Sequence, residues 1–239
     1  IIPTYNGGKI FAETLKRIRE QRYEGKLELI IIDSGSNDET VQLARQYADQ
    51  VIEIDQKTFH HARTRNQALE YASFDQVVYF VQDAIPRSDS CFSDLEKSLI
   101  DYDVASVYVR QVPHSEADLY ARFEVEYHSK YLGDDPILQQ LDSPDAFLTM
   151  PYHDALRAIR LDNVCAIYRK KLLIETPFPE VEFAEDMAWG YQNQLLGNRI
   201  LYQPRITVQH SHNRSAAYRF KRAIINSIGA RVPNGPGRD

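Results

Sequence analysis

The 239 residues include only two cysteines, Cys91 and Cys165. Two are too few for a disulfide framework or a zinc site, so a reducing, cytoplasmic setting fits the chain. Long apolar runs are missing as well. The longest, such as Leu29–Ile32 and Val77–Val81, have strand length and fall far short of the roughly 20 residues that a bilayer span needs. No repeat, low-complexity tract or Pro/Gly-rich linker interrupts the sequence. A composition of 43% hydrophobic and 26% charged residues excludes disordered and fibrous classes. Basic motifs interleaved with aromatics are not evident, so no nucleic-acid partner is expected. A Gly-rich phosphate loop is missing too: Asn6-Gly-Gly8 is too short for the loop a nucleotidyltransferase would place after its first strand. The chain opens at Ile1 inside a strand-like segment, so a natural N-terminus is expected upstream, and the missing signal peptide decides nothing.

One further absence is local. No acid lies between Asp186 and Asp239, while residues 187–238 carry eight Lys or Arg. Residues 1–186 hold 20 basic and 33 acidic side chains, a net −13 against −6 for the whole chain. A basic tail on an acidic body points to an anionic partner. Phe220, Ile224 and Ile228 recur every four residues among Arg214, Arg219, Lys221, Arg222 and Arg231. A helix there would be basic and amphipathic, suited either to peripheral contact with the inner face of a membrane or to closing the core.

Strand and helix signals alternate through the first half. Strands are predicted at 1–4, 27–32, 51–54, 77–81 and 104–109, and helices at 9–21, 39–47, 61–72 and 92–99. That order predicts an open α/β sheet with right-handed crossovers, whose ligand sits beyond the carboxyl ends of the strands. Residues 113–160 read as a mixed insertion rich in aromatics. A helix over 183–196 and a strand over 200–208 follow. The reading divides the chain into a nucleotide-sugar-binding half (1–112), an acceptor-side and catalytic half (113–212) and a basic C-terminal segment (213–239).

Several polar groups stand where such a sheet presents its ligand. Asp83 follows a buried apolar strand, one residue past Gln82. A carboxylate there can bridge Mg²⁺ or Mn²⁺ to a diphosphate, or cap the next turn. Asp33 follows Ile30-Ile-Ile32 with the same two readings. Glu185-Asp186 opens an apolar helix, as a general base with its neighbour or as a dipole-favoured cap. His210 and His212 follow a strand and can ligate a metal. Arg63, Arg65 and Asn66 start a helix, which suits phosphate oxygens but also a solvated face.

The ordered set is more specific than its members. Ile2-Pro-Thr-Tyr-Asn6, Ile31-Ile-Asp-Ser-Gly-Ser-Asn-Asp38, Ala62-Arg-Thr-Arg-Asn66, Val81-Gln-Asp-Ala-Ile-Pro86, Glu185-Asp186 and Val208-Gln-His-Ser-His212 together resemble the family-2 glycosyltransferases, most of all bacterial rhamnosyltransferases. The resemblance spans about 2–226 and is weakest over 113–160. It implies a GT-A fold, a Rossmann-like open mixed sheet flanked by helices. It also implies a nucleoside-diphosphate sugar donor, a divalent cation (Mg²⁺ or Mn²⁺), a glycan or lipid-linked glycan acceptor, and inversion at the anomeric carbon. By position, Pro3, Thr4, Tyr5, Asn6, Asp33, Arg63, Arg65 and Gln82 match nucleotide-binding residues, with Arg65 set to neutralise charge on the leaving diphosphate. Asp83, His210 and His212 match the metal-binding group. Asp186 matches the catalytic base, with Glu185 beside it.

Two departures stand out. Ser34 occupies a position where a second acid is common, and the family's DxD motif is reduced to Gln82-Asp83-Ala84. The reduction favours one rival, a nucleotide- or glycan-binding module of the same fold without catalysis. The retention of Asp83 and Asp186 opposes it.

Overall fold

The computed structural model describes residues 1–215 and Tyr218. The basic, amphipathic pattern read over 214–231 therefore falls almost wholly outside the described residues.

Two sheets meet edge to edge. β1 (Ile2–Thr4), β2 (Ile30–Asp33) and β3 (Gln50–Glu53) are parallel, joined by helices α1 (Gly8–Arg19) and α2 (Thr40–Tyr47). After α3 (His61–Leu69) come β4 (Gln76–Phe80), β5 (Ile85–Pro86), α4 (Cys91–Asp101) and β6 (Ser106–Val112). The insertion supplies α5 (Leu119–Leu132), β7 (Ile137–Gln139), α6 (Pro144–Thr149) and α7 (Tyr152–Ala158). β8 (Cys165–Arg169), α8 (Lys170–Glu175), α9 (Glu185–Leu195) and β9 (Ile200–Gln209) follow. The second sheet runs β4-β8-β6-β9-β5, with β7 also on β9. A hydrogen bond from Phe80 N to Ile1 O, 3.0 Å long, ties β4 to the start of β1.

The alternation of strand and helix in the first half is thus present, and the second half makes the sheet mixed. β8 runs antiparallel between β4 and β6, and β9 runs parallel to β6. Neither β5 nor β8 was predicted, nor was α8. Cys165-Ala-Ile-Tyr-Arg169 is a short apolar run that suits a strand or a buried helix alike, and two-residue β5 forms only because β9 offers it a ladder.

The continuous isoleucine run of β2 follows from burial on both faces. Ile31 joins Phe11, Leu15 and Ile18 of α1 and Leu95 and Leu99 of α4 on one side. Ile30 and Ile32 join Ala62 and Ala68 of α3, Leu173 of α8 and Trp189 of α9 on the other. α1 starts tightly: a Cβ on Gly7 would lie 2.6 Å from Phe11 Cβ, so only glycine lets the chain pass.

Behind α9 lies an aromatic cluster. Trp189 is fully buried, meets Tyr168 edge-on at 5.0 Å between centroids, and donates from Nε1 to Thr176 O at 2.7 Å. Truncation there leaves a cavity and an unpaired carbonyl. Trp189→Ala is expected to lower the unfolding free energy by about 3–5 kcal/mol, read by urea denaturation. A loss under 1 kcal/mol would show that α9 is not held by this packing.

Candidate active site

The predicted residues at the strand ends divide into those that build loops and those that converge on open chemistry. Thr4, Tyr5 and Gln82 form a latch. Gln82 Oε1 accepts from Thr4 Oγ1 at 2.7 Å and from Tyr5 N at 2.8 Å, and its Nε2 donates to Tyr5 O at 3.2 Å. Pro3 precedes the latch, half-buried, while the ring of Tyr5 stays exposed. Asn6 adopts φ 46°, and its Oδ1 accepts from Asn37 N at 2.9 Å. Asp33 is fully buried. Its Oδ1 accepts from Gly35 N and Ser36 N at 2.9 and 2.8 Å, and its Oδ2 from Ser36 Oγ at 2.5 Å. Gly35 sits at φ 83°, a left-handed turn that the carboxylate caps.

The two arginines part company. Arg63 is exposed and forms a fork with Glu180, Nη2 to Oε2 at 2.6 Å and Nε to Oε1 at 3.3 Å. The Glu180 carboxylate raises the Arg63 guanidinium above its ordinary value. Arg65 turns inward, and its Nη1 donates to Glu185 Oε1 at 2.6 Å with both side chains under 10% exposed. Its charge is therefore compensated inside the protein, which differs from the solvent-facing position that neutralising a diphosphate would need. An α-helix sends neighbours two apart to opposite sides, which the residue types alone do not reveal.

Asp83, His210 and His212 come together. His212 Nδ1 lies 3.2 Å from Asp83 Oδ2, and His210 Nε2 lies 3.7 Å from Asp83 Oδ1. One ligand atom from each of the three lies within 4.8 Å of the others. Ligand atoms about 2.1 Å from a common ion would be separated by about 3–4 Å, so the spacing fits a divalent cation. Burial lowers the basicity of His210. Burial, then the neighbouring His210, pushes His212 down to about 4. His114 Nε2 lies 3.1 Å from Asp83 O and braces the loop.

Glu185 and Asp186 open α9 behind Ala184, a non-glycine residue in the left-handed region at φ 59°, ψ 47°. Such a conformation costs about 1–3 kcal/mol and persists only where surrounding contacts impose it. Here the Arg65–Glu185 pair and Asn163 impose it. Asn163 N donates to Asp186 Oδ2 at 3.0 Å, Asn163 Nδ2 to Glu185 Oε1 at 3.4 Å, and Tyr168 OH to Asn163 Oδ1 at 2.7 Å. Burial, then the charges of Glu185 and Asp162, lifts the Asp186 carboxyl from the ordinary range to about 7. The two centres are linked by backbone: Val81 N, two residues before Asp83, donates to Val164 O at 3.2 Å, next to Asn163.

Sequence reasoning passed over Gln111, Asp162 and Asn163. Asp162 Oδ2 accepts from Gln111 Nε2 at 2.6 Å and Arg160 Nη2 at 3.2 Å. Burial works against its ionisation, yet Arg160, His128 and the Val164 N–H outweigh it and hold the carboxyl below its ordinary value. Asp162-Asn163 ahead of the apolar run 164–168 repeats the pattern that marked Asp33 and Asp83 in reverse order, and that was the available signal.

The aromatics of 113–160 split as well. Phe147 is buried against Tyr191, centroids 4.8 Å apart, and Tyr131 OH donates to His153 O at 2.5 Å. Phe123 and Tyr127 are 61% and 63% exposed and stack at 5.9 Å along α5, beside Leu119 and Tyr120.

A curled mixed sheet with polar groups at one end is the GT-A arrangement. The same fold is found, at TM-score 0.70 and 20% identity, in a mannosyltransferase of Pyrobaculum calidifontis solved with GDP-Man and Mn²⁺. That match covers 99% of this chain and 64% of the other. The protein belongs to glycosyl transferase family 2, whose model matches residues 1–175, and it is a glycosyltransferase. It is 33% identical over 236 residues to the O-antigen chain rhamnosyltransferase RfbN of Salmonella typhimurium, covering 95% of this chain and 70% of the relative. It is 29% identical over 231 residues to the O-antigen chain rhamnosyltransferase WbaN of Salmonella anatum, again over 95% and 70%. No helix among the described residues is long and apolar enough to cross a membrane.

Proposed function

We propose that the protein transfers a sugar, rhamnose first among the candidates, from a nucleoside-diphosphate donor to a glycan or lipid-linked glycan acceptor with inversion. The observation that carries this reading is the cluster of Asp83, His210 and His212, joined through Val81 and Val164 to the Asn163–Asp186 contact. The likeness to two O-antigen chain rhamnosyltransferases supports rhamnose as the sugar.

Asp83, His210 and His212 would hold the cation. One carboxylate with two imidazoles suits Mn²⁺ better than Mg²⁺, which prefers oxygen ligands throughout. When bound, the cation neutralises charge growing on the leaving diphosphate. Asp186 takes the proton from the acceptor hydroxyl as that oxygen attacks the face of the sugar opposite the diphosphate. The C–O bond to the acceptor forms as the bond to the diphosphate breaks, so the configuration inverts. Glu185 and Arg65 hold Asp186 in place. The Gln82 latch shapes the loop carrying Tyr5 and Asn6, whose exposed faces would meet the nucleotide.

Thermal melting with Mn²⁺ and a panel of nucleoside-diphosphate sugars tests the donor. A ligand at 100 times its Kd stabilises the fold by about 2.7 kcal/mol, and deoxythymidine-diphosphate rhamnose should give the largest shift. Stabilisation without transfer or donor hydrolysis would leave a nucleotide-binding module in place of an enzyme.

The exposed face of α5 would receive the acceptor. The Asp118 backbone N–H donates to Asn213 Oδ1 at 2.8 Å, which sets the start of α5 beside the segment carrying His212. Replacing Phe123 or Tyr127 by alanine should raise the acceptor KM about fivefold per ring, for an aromatic contact of about 1 kcal/mol. Donor affinity should stay unchanged. A change in donor affinity instead would move the acceptor elsewhere.

A further inference from the structure

We infer that Gln111 and Asp162 are positioning residues that set the tautomer and ring orientation of His210, so that its Nε2 lone pair is presented beside Asp83. The inference rests on the reading of Asp83, His210 and His212 as a cation site.

The ionised carboxylate of Asp162 can only accept. Both its oxygens are engaged, Oδ1 by Val164 N at 3.1 Å and Oδ2 by Arg160 and Gln111. The Gln111 amide at 2.6 Å must therefore turn its nitrogen toward Asp162, since its oxygen there would oppose a carboxylate oxygen. That choice leaves the Gln111 oxygen facing His210 Nδ1 at 2.8 Å. A carbonyl oxygen accepts only, so the proton of the neutral imidazole resides on Nδ1. The lone pair is then on Nε2, the atom 3.7 Å from Asp83 Oδ1. A metal-ligating histidine whose second nitrogen is fixed by an oxygen acceptor is a general device for ring orientation. Here a carboxylate acts through an amide.

The backbone makes the arrangement stiff. Gln111 pairs with Val208 in the β6–β9 ladder, and His210 N donates to Val112 O at 2.9 Å. Ser129 Oγ donates to Gln111 O at 2.9 Å. The next residue after Asp162 is Asn163, whose N–H holds Asp186. One dipeptide ahead of β8 thus touches both the cation cluster, through Gln111, and the proposed base. A shift of this dipeptide would move both together.

Two measurements on the full chain test the inference. Nitrogen chemical shifts of the His210 ring in metal-free protein report the tautomer directly. Wild type should show protonation at Nδ1. Gln111→Leu, which cannot accept, should give a mixture, as should Asp162→Asn, whose amide no longer dictates how Gln111 turns. The second measurement is titration with Mn²⁺ alone, following free Mn²⁺ by electron paramagnetic resonance. Gln111→Leu should weaken binding roughly 10- to 100-fold, as loss of an outer-shell partner does, with the melting temperature little changed. Wild-type protonation at Nε2, or an unchanged tautomer in both variants, would overturn the inference. So would a tautomer shift with unchanged Mn²⁺ affinity, provided that His210→Ala weakens that affinity. If His210→Ala leaves Mn²⁺ binding intact, the cation-site reading fails, and the ring shifts alone then decide whether Gln111 sets the tautomer.

Discussion

Asp186→Asn is expected to fold, to bind donor nucleotide and Mn²⁺ as wild type does, and to lose transfer by roughly 10²- to 10⁴-fold, the usual cost of a missing general base. The substitution keeps the size of the side chain and an oxygen that can accept from Asn163 N, so the αL turn at Ala184 and the start of α9 should persist. What disappears is the basic lone pair. The wild-type carboxyl, raised to about 7 first by burial and then by Glu185 and Asp162, predicts a transfer rate that climbs as pH rises through 7 and levels off above it. The sign follows from the role, because a base works only when deprotonated. Stability runs the other way. A carboxyl whose folded value is raised gives its full contribution below its unfolded value near 4. That contribution is lost as pH rises through about 7. Asp186→Asn should therefore melt no earlier than wild type at pH 8. The measurements are initial rates of acceptor modification from pH 5.5 to 8.5, paired with melting curves. A near-wild-type rate in the variant would place the base elsewhere, with Glu185 next. Glu185 is less suited because its Oε1 already takes Arg65 and Asn163.

Asp83→Ala is the second large effect. Asp83 supplies the one carboxylate of the three-residue cluster, and the two imidazoles carry no negative charge to hold a divalent cation against water. Removing it should abolish the enhancement of nucleoside-diphosphate binding by Mn²⁺ in isothermal titration. Metal-independent binding through the Tyr5–Asn6 loop should survive. Transfer should fall with the cation, since the diphosphate would leave without charge neutralisation. His210→Ala and His212→Ala should act in the same direction and more weakly, each leaving the carboxylate in place. An Mn²⁺ effect of wild-type size in Asp83→Ala would sink the cation assignment. It would also reduce Asp83 to the turn-capping role that strand-end aspartates often have.

The strand-end motifs were legible because a buried strand leaves no alternative. Ile30-Ile-Ile32 and Val77–Val81 must lie within a covered sheet, so the polar residue that follows each must stand at its rim. What each rim residue then does was not legible. Asp33 and Asp83 follow equivalent runs. Asp33 nevertheless turns its oxygens back onto Gly35 and Ser36, whereas Asp83 turns toward two histidines 127 and 129 positions along the chain. A three-residue local turn was available to the first and not to the second. Arg63 and Arg65 divide in the same manner, one outward to exposed Glu180 and one inward to buried Glu185, because residues two apart on α3 face opposite sides.

The sequence by itself determined the class of fold, the family, and the set of residues from which a site is drawn. Local periodicity, turn chemistry and ordered motifs are carried by neighbours in the chain. The tertiary structure alone decided which of those residues meet. The insertion of β8 between β4 and β6 brings Asp162 and Asn163 to the rim, against Gln111 of the first half and Asp186 of the second. It also sets the Asp186 carboxyl near 7, because burial and the approach of Glu185 and Asp162 depend on where the chain returns. Contacts between residues 23 positions apart, as Asn163 and Asp186, or 129 apart, as Asp83 and His212, leave no period in a sequence. Their energies belong to the packed sheet, where burial, neighbouring charge and hydrogen bonding act on a carboxylate together.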